Sequence, residues 1–262
     1  MNPTPAAIPS PSAPADEAPT PPVGVLERAL CVLECFSGQQ PRLQLRELAE
    51  RTGLDKATLL RLLATFTRYG YVQRFSDGRY APGPASLRLS GIYLSTFNLT
   101  DRLQPALASV MQHTGETVAF YIRSGEERVC LYRDNTPRGV AHHVEVGNRI
   151  PLADGGSSAH VLLAYTGDSS PAADEVRARG YWITRNERLP DLASVAVPVF
   201  EGDGRFLGAL VVIGPSSRLT RATLTLAVDV ARSALAAQGF ATQPPRPDAP
   251  APPPDAPRKR VR

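Results

Sequence analysis

Ser157, Ser158 and His160, with Asp154 just before them, bring a nucleophile, a base and an acid close together in the sequence. A hydrolase needs its nucleophile and base within hydrogen-bond reach and a third group to orient the base. Ser158 and His160 stand two apart on a helical run and so point away from each other, and no G-x-S-x-G elbow occurs. His142 and His143 are adjacent in a strand-like run, face opposite sides and cannot bind one metal as neighbours. His113 ends a helix, an ordinary place for an imidazole. Cys31 and Cys35 lie four apart on a helix flank; a redox switch is conceivable, but packing or subunit contact suits them better. The expectation is a protein that is not an enzyme and needs no metal or cofactor.

Two other groups offer binding chemistry. In the run Lys56 to Arg68, Ala57, Leu60, Arg61, Ala64 and Arg68 fall together on a 100° wheel, away from the apolar stripe. A solvated face normally mixes charges; this one has two arginines, small residues and no acid. It suits the DNA major groove, where Arg reads guanine edges and apolar groups touch thymine methyls. Lys56, in the first turn, opposes the helix dipole unless a phosphate lies near it. In the second group, backbone N–H groups of Asp154-Gly155-Gly156-Ser157-Ser158 open a helix and can hold a carboxylate. The alternative is that Gly-Gly is only the turn this loop needs.

The elements that position the basic face are legible. Leu45 and Leu48–Ala49 repeat at helical spacing before Gly53 stops the helix. Asp55 is an N-cap for a second helix with Leu59, Leu62, Leu63, Phe66 and Tyr69 on one face, closed by Gly70. Tyr71–Phe75 and Arg79–Tyr80 then read as strands across Asp77-Gly78, a two-residue turn. This is the winged helix-turn-helix pattern, outweighing a plain all-α pair. Upstream, Val25 to Phe36 reads as a helix with Leu26, Ala29–Leu30, Leu33 and Phe36 on one side.

Charge agrees with this placement. The 262 residues carry a formal +4 overall, and residues 23–95 alone carry +4. The segment 241–262 carries +3, residues 1–22 carry −2, and 96–240 only −1. A basic head on a near-neutral second domain fits a DNA-binding protein. Three cysteines give neither a disulfide framework nor zinc spacing. No apolar run approaches a membrane span, and the Pro/Ala-rich start lacks a basic leader region, so the cytoplasm is the expected compartment, with no membrane partner. Residues 1–22, with eight prolines, and the tail ending PRKRVR are expected to be disordered.

GVLERALCVLECFSGQQPRLQLRELAERTGLDKATLLRLLATFTRYGYVQRFSDGRYAPG resembles the N-terminal domain of the IclR family of bacterial transcriptional regulators. GETVAFYIRSGEERVCLYR, VGNRIPLADGG, LLAY, RARGYWITRNE and VAVPVFEGDGRFLGALVVIGPSSRLT continue the similarity in order, covering roughly Val25 to Gly239. The resemblance implies an α+β protein: a winged helix-turn-helix over residues 23–83, a linker helix over 84–98 and a GAF-like α/β effector domain over 99–240, between tails 1–22 and 241–262. It also implies a homodimer, often paired into a tetramer, on a palindromic double-stranded DNA operator. Leu87, Ile92 and Leu94 of the linker are then available to a partner. Operator contacts are assigned to Gln44, Lys56, Ala57, Thr58, Leu60, Arg61, Arg68 and, on the wing, Arg79. Lys56, Thr58 and Arg61 match the family, whereas Ala57 and Leu60 stand where members often carry Ser and a ring residue.

In the second domain, Thr117–Arg123, Arg128–Arg133 and Val140–Val146 read as strands, Asn98–Thr114 and Ser157–Tyr165 as helices. Val195–Phe200 and Phe206–Ile213 form a hairpin over Asp203-Gly204, and Thr220 caps a last helix. The effector pocket is expected where the loop Ile150–Ser158 meets these strands. Its assigned residues are Ile150, Leu152, Gly155, Gly156, Ser157, Ser158, Thr184, Leu192, Ser194, Val211 and Ile213. Family members that sense small 2-oxo acids place an acid, a cysteine and two serines where this chain has Thr184, Ser194, Val211 and Ile213. The exchange favours a bulkier, partly apolar ligand such as an aromatic or hydroxylated aromatic acid, with Arg133 or Arg149 as its cationic partner or as mere surface charge. The segment between Tyr165 and Arg179 is shorter than usual, which implies a more open pocket or a weakened response. The leading function is a ligand-responsive transcription regulator, repressor or activator. The second is an architectural DNA-binding protein whose other domain only oligomerises, and a hydrolase is a distant third.

Overall fold

The structure, a computed structural model, describes residues 24–38, 40–136, 138 and 145–244. The tail 1–22, the tail beyond 244, His142-His143 and most of the expected strand Val140–Val146 lie outside the described residues. Two compact units divide the chain between Asp101 and Arg102, in an α+β arrangement.

The first unit begins with α1 (Val25–Glu34), α2 (Leu45–Thr52) and α3 (Lys56–Arg68). Gln44 and Glu47 close a capping box at the start of α2, and Gly53 ends it in the left-handed region at φ 67°. Asp55 caps α3 by accepting the Thr58 N–H at 2.9 Å. Val32, Leu43, Leu48, Leu59, Leu63, Val72 and Tyr80 form the core. Leu26 and Leu30 of α1 and Tyr69 after α3 are exposed, whereas Leu33 and Phe36, on the same expected side of α1 as the two leucines, pack partly buried against the core. The core takes α1 through Val32, and α3 ends at Arg68, so Tyr69 is its cap rather than part of its buried stripe.

The wing is β1 (Val72–Arg74) against β2 (Tyr80–Pro82), and Leu43 joins it by reciprocal backbone bonds with Tyr80 of 2.9 and 2.8 Å. Its turn is not the two-residue type. Phe75 pairs with Arg79 (2.8 Å) and the Gly78 N–H reaches Phe75 O (3.0 Å), so Ser76-Asp77-Gly78 make a three-residue loop. A two-residue I′ turn needs positive φ at both central residues; only Gly78 has it here. Helix α4 (Pro84–Ser95) follows, with Pro at its first position and no buried residue. Its entry is packed tightly: a Cβ on Gly83 would lie 2.2 Å from the Gly70 carbonyl oxygen.

The second unit is built on one antiparallel sheet. Helix α5 (Thr100–Thr114) leads to β3 (Thr117–Ser124), β4 (Glu127–Asp134) and β5 (Arg149–Pro151), then α6 (Ser157–Tyr165), α7 (Pro171–Arg179), β6 (Trp182–Arg185), β7 (Leu192–Phe200), β8 (Phe206–Pro215) and α8 (Arg221–Ala237). Strand order is β5-β4-β3-β8-β7-β6. The Ile150–Ser158 stretch, expected to be loop, starts with an edge strand, because residues 149–151 pair with Glu127–Val129. The β7–β8 connection repeats the wing's geometry, Gly202-Asp203-Gly204 closed by Glu201–Arg205 (2.9 Å), again three residues rather than two.

Helices α6 and α7 share a core with one sheet face through Ala119, Tyr121, Ala159, Val161, Leu162, Ala173, Val176 and Val211. Helix α8 buries Leu224, Val228, Ala231 and Leu235. The short segment after Tyr165 is not an open gap: Ser170 caps α7, which carries Ala173 and Val176 into that core.

Candidate functional site

Helix α3 uses Leu59 and Leu63 for the core and turns its opposite side outward. Lys56, Ala57, Leu60, Arg61, Arg68 and, beside them in sequence, Ala64 are exposed; Thr58 is half-buried. Thr58 is also occupied: its hydroxyl donates to Asp55 at 2.7 Å and accepts from Arg61 Nη2 at 3.4 Å. The Thr58 bonds hold the Asp55 carboxyl below the usual carboxylate range. Arg61 and Arg68, seven residues apart, stand about 10 Å from each other along the same side. Arg68 lies over the Tyr69 ring, 5.2 Å from its centroid. Gln44 and Arg79 line a separate groove of about 610 Å³ with Arg42, Arg46, Glu47 and Glu50. Gln44 caps α2 there as well.

In the second unit, one cavity gathers Ile150, Gly156, Ser157, Ser158, Thr184, Leu192, Ser194, Val211 and Ile213. Leu152 and Gly155 do not line it. Leu152 is buried in the core behind, and Gly155 accepts a hydrogen bond from the lining residue Arg128 through its carbonyl. Four lining residues were not anticipated: Tyr121, Arg128, Glu187 and Arg188. The enclosed space is only about 20 Å³, little more than one water molecule, so the shorter segment after Tyr165 leaves no wide opening.

Ser194 sits at the centre of a hydroxyl row, 2.7 Å from Ser157 Oγ and 2.9 Å from Thr184 Oγ1. His160 pairs instead with Glu187, Nε2 to Oε1 at 2.8 Å, so serine and histidine serve different partners. The cations at the cavity are Arg128 and Arg188, not Arg133 or Arg149. Arg149 pairs with Glu127 on the outer edge. Arg128 is only 2% exposed and donates Nη1–H to Gly155 O at 2.6 Å. Burial pulls its pKa down to about 10, still protonated at neutral pH, although Asp154 and Glu187 oppose the shift. Burial also pushes Cys130, on the same strand, up to about 12, which leaves an inert thiol. The signal for Arg128 in the sequence was its place opposite Ile150 in a strand ladder, invisible until β5 is recognised.

Among the described residues no group of three or more metal-binding side chains occurs, and no helix is long and apolar enough to cross a membrane.

Residues 25–75 match the IclR helix-turn-helix domain. Residues 91–173 and 170–237 match the bacterial transcriptional regulator IclR C-terminal domain. The Pca regulon regulatory protein of Pseudomonas putida is 28% identical over 226 residues, 76% of this chain and 77% of that protein. An IclR transcriptional regulator from Alicyclobacillus acidocaldarius has the same fold, with TM-score 0.68, 24% identity, and 83% of this chain and 98% of that one covered. So does an IclR homologue from Microbacterium hydrocarbonoxydans solved in complex with 4-hydroxybenzoate, at TM-score 0.63 and 22% identity, covering 82% of this chain and 100% of that one. With a helix-turn-helix head and an IclR C-terminal α/β domain both matched along the chain, this protein belongs to the IclR family of DNA-binding bacterial transcriptional regulators.

Proposed function

We propose that this regulator binds a palindromic operator as a homodimer or a pair of dimers, through α3 and the wing, in the bacterial cytoplasm. A small organic acid held in the cavity under α6 controls it. The observation that carries the DNA reading is the outward side of α3: once Leu59 and Leu63 are buried, what remains exposed is Lys56, Ala57, Leu60, Arg61, Ala64, Thr65, Thr67 and Arg68, with no acid among them. Arg61 is the base-reading candidate, central on the helix, while Lys56, Arg68 and Arg79 reach phosphates. Supporting an aromatic or hydroxylated aromatic ligand are an apolar wall of Ile150, Leu192, Val211 and Ile213 beside a hydroxyl row and one buried cation. The same fold holds 4-hydroxybenzoate in a solved relative.

One observation favours the architectural alternative, in which the second domain binds nothing. The cavity's space of about 20 Å³ falls far short of the several hundred Å³ of ordinary ligand sites, so a ligand must displace side chains. Anisotropy titration against DNA from upstream of the protein's own gene, at several salt concentrations with scrambled competitor, tests both readings. Saturable, competitor-resistant binding is expected, and Arg61→Ala should weaken it by about 1–3 kcal/mol. Unchanged affinity in that variant removes Arg61 from base reading. Addition of 4-hydroxybenzoate or related acids should shift the titration; binding that no acid shifts favours the architectural role.

A further inference from the structure

The anion seat at the start of α6 is already taken, by the chain itself. Glu187, in the loop between β6 and β7, places Oε1 3.0 Å from the Gly156 N–H, where it accepts a hydrogen bond, and 2.8 Å from His160 Nε2. The approach is close enough that a Cβ on Gly155 would lie 2.5 Å from that oxygen. Glycine at 155 therefore makes room for a carboxylate as well as supplying φ 69°.

Arg128 is the second, independent feature. Its side chain is buried and lines the cavity. Its Nη1–H goes to Gly155 O at 2.6 Å, while its Nε has no hydrogen-bond partner among the described residues. Nη2 lies 3.6 Å from where a Cβ on Gly156 would stand, which puts the guanidinium directly against the α6 entry. A buried guanidinium with donors to spare is costly until an acceptor, best of all a bidentate carboxylate, meets it. No ion pair joins it to Glu187 within 4.0 Å among the described salt bridges, although Glu187 is near enough to favour its charged form.

We infer that Glu187 is a tethered carboxylate holding the anion seat, and that an effector binds by placing its own carboxylate on Arg128 and the α6 N–H groups while Glu187 swings out. The ligand class that fits is a monocarboxylic acid with an apolar body. One negative charge replaces another at the α6 terminus, and the body takes the space that Glu187 and its loop now fill. The small free volume follows from this: the site is shut by its own stand-in. The inference rests on the reading that this cavity takes an organic acid.

Full-length protein, titrated calorimetrically with 4-hydroxybenzoate and with uncharged 4-hydroxybenzyl alcohol, tests it. Glu187→Gln keeps size and hydrogen bonding but loses the charge. It should bind the acid about tenfold more tightly than the unaltered protein and leave the alcohol unchanged. Arg128→Met should weaken the acid by at least about tenfold, again sparing the alcohol. If Arg128→Met does not fold, Arg128→Lys, which keeps the charge but loses the planar fork, should weaken the acid alone. Equal acid affinity in Glu187→Gln and the unaltered protein overturns the inference. So does acid binding indifferent to residue 128, or no acid binding to either the unaltered protein or Glu187→Gln. Acid binding that follows the expected pattern but leaves DNA affinity unmoved upholds the seat and its displacement and overturns the regulatory reading.

Discussion

Glu116 shows what single residues do in the second unit. It is 2% exposed, yet it is well partnered: Arg218 donates Nε–H and Nη2–H to its two oxygens at 2.6 and 2.8 Å, and Arg138 Nη1 adds a third contact at 3.0 Å. Gly214 leaves room for it, since a Cβ there would lie 2.5 Å from Oε2. Removing one partner of such a group strands buried charge, but both arginines are partly solvated, which moderates the loss. Glu116→Ala is expected to lower stability by about 3 kcal/mol in urea unfolding, with Glu116→Gln costing less. Sequence reading missed this cluster because Glu116 and Arg218 are 102 residues apart and meet only once the sheet has formed. Arg128 escaped for the same reason. Arginines recur along β4, and which one enters the cavity depends on the packing of α6 and β5.

At the scale of elements, the caps were the most legible features, because a cap is a local bargain between one side chain and N–H groups two or three residues on. Asp55, Thr220, Gly53 and Gly70 act as the sequence implies. Thr58 depresses the Asp55 pKa through a backbone and a side-chain hydrogen bond. A depressed folded-state value means a contribution present above the unfolded pKa of about 4 and lost as pH falls through the folded value. Thermal melts of the protein and of Asp55→Ala should therefore differ by a constant margin at neutral pH and converge on acidification below about pH 4. A margin that persists unchanged into acid would show that the cap acts through geometry, not charge. The hairpins were half legible. Asp-Gly marked each turn, but the loop closed one residue wider at Phe75–Arg79 and Glu201–Arg205, since strand register is a property of the pair.

At the scale of the whole molecule, exposed apolar groups are the informative surface. Leu87 is 77% and Ile92 52% exposed on α4, and Leu26 and Leu30 are exposed on α1. We propose that such side chains, left by a unit whose core is complete without them, contact another copy of the chain. We expect Leu87→Glu with Ile92→Glu to shift sedimentation velocity from an oligomer toward the monomer while circular dichroism stays unchanged. An unaltered sedimentation profile would place self-association elsewhere.

The sequence by itself determined the order and kind of most elements, the winged helix-turn-helix, the basic side of α3, the family, and most of the residues around one cavity. These are local or periodic signals: caps, helical spacing, alternation and turn residues, each readable within a window of a few positions. Only the tertiary structure decided which leucines of α1 stay outside, that residues 149–151 pair as an edge strand, and that α7 fills the shortened segment. It also decided that Arg128 and Glu187 meet at the mouth of α6, 59 positions apart in the chain. Contacts of that kind depend on sheet order and on which face each strand turns inward, and no local pattern encodes either.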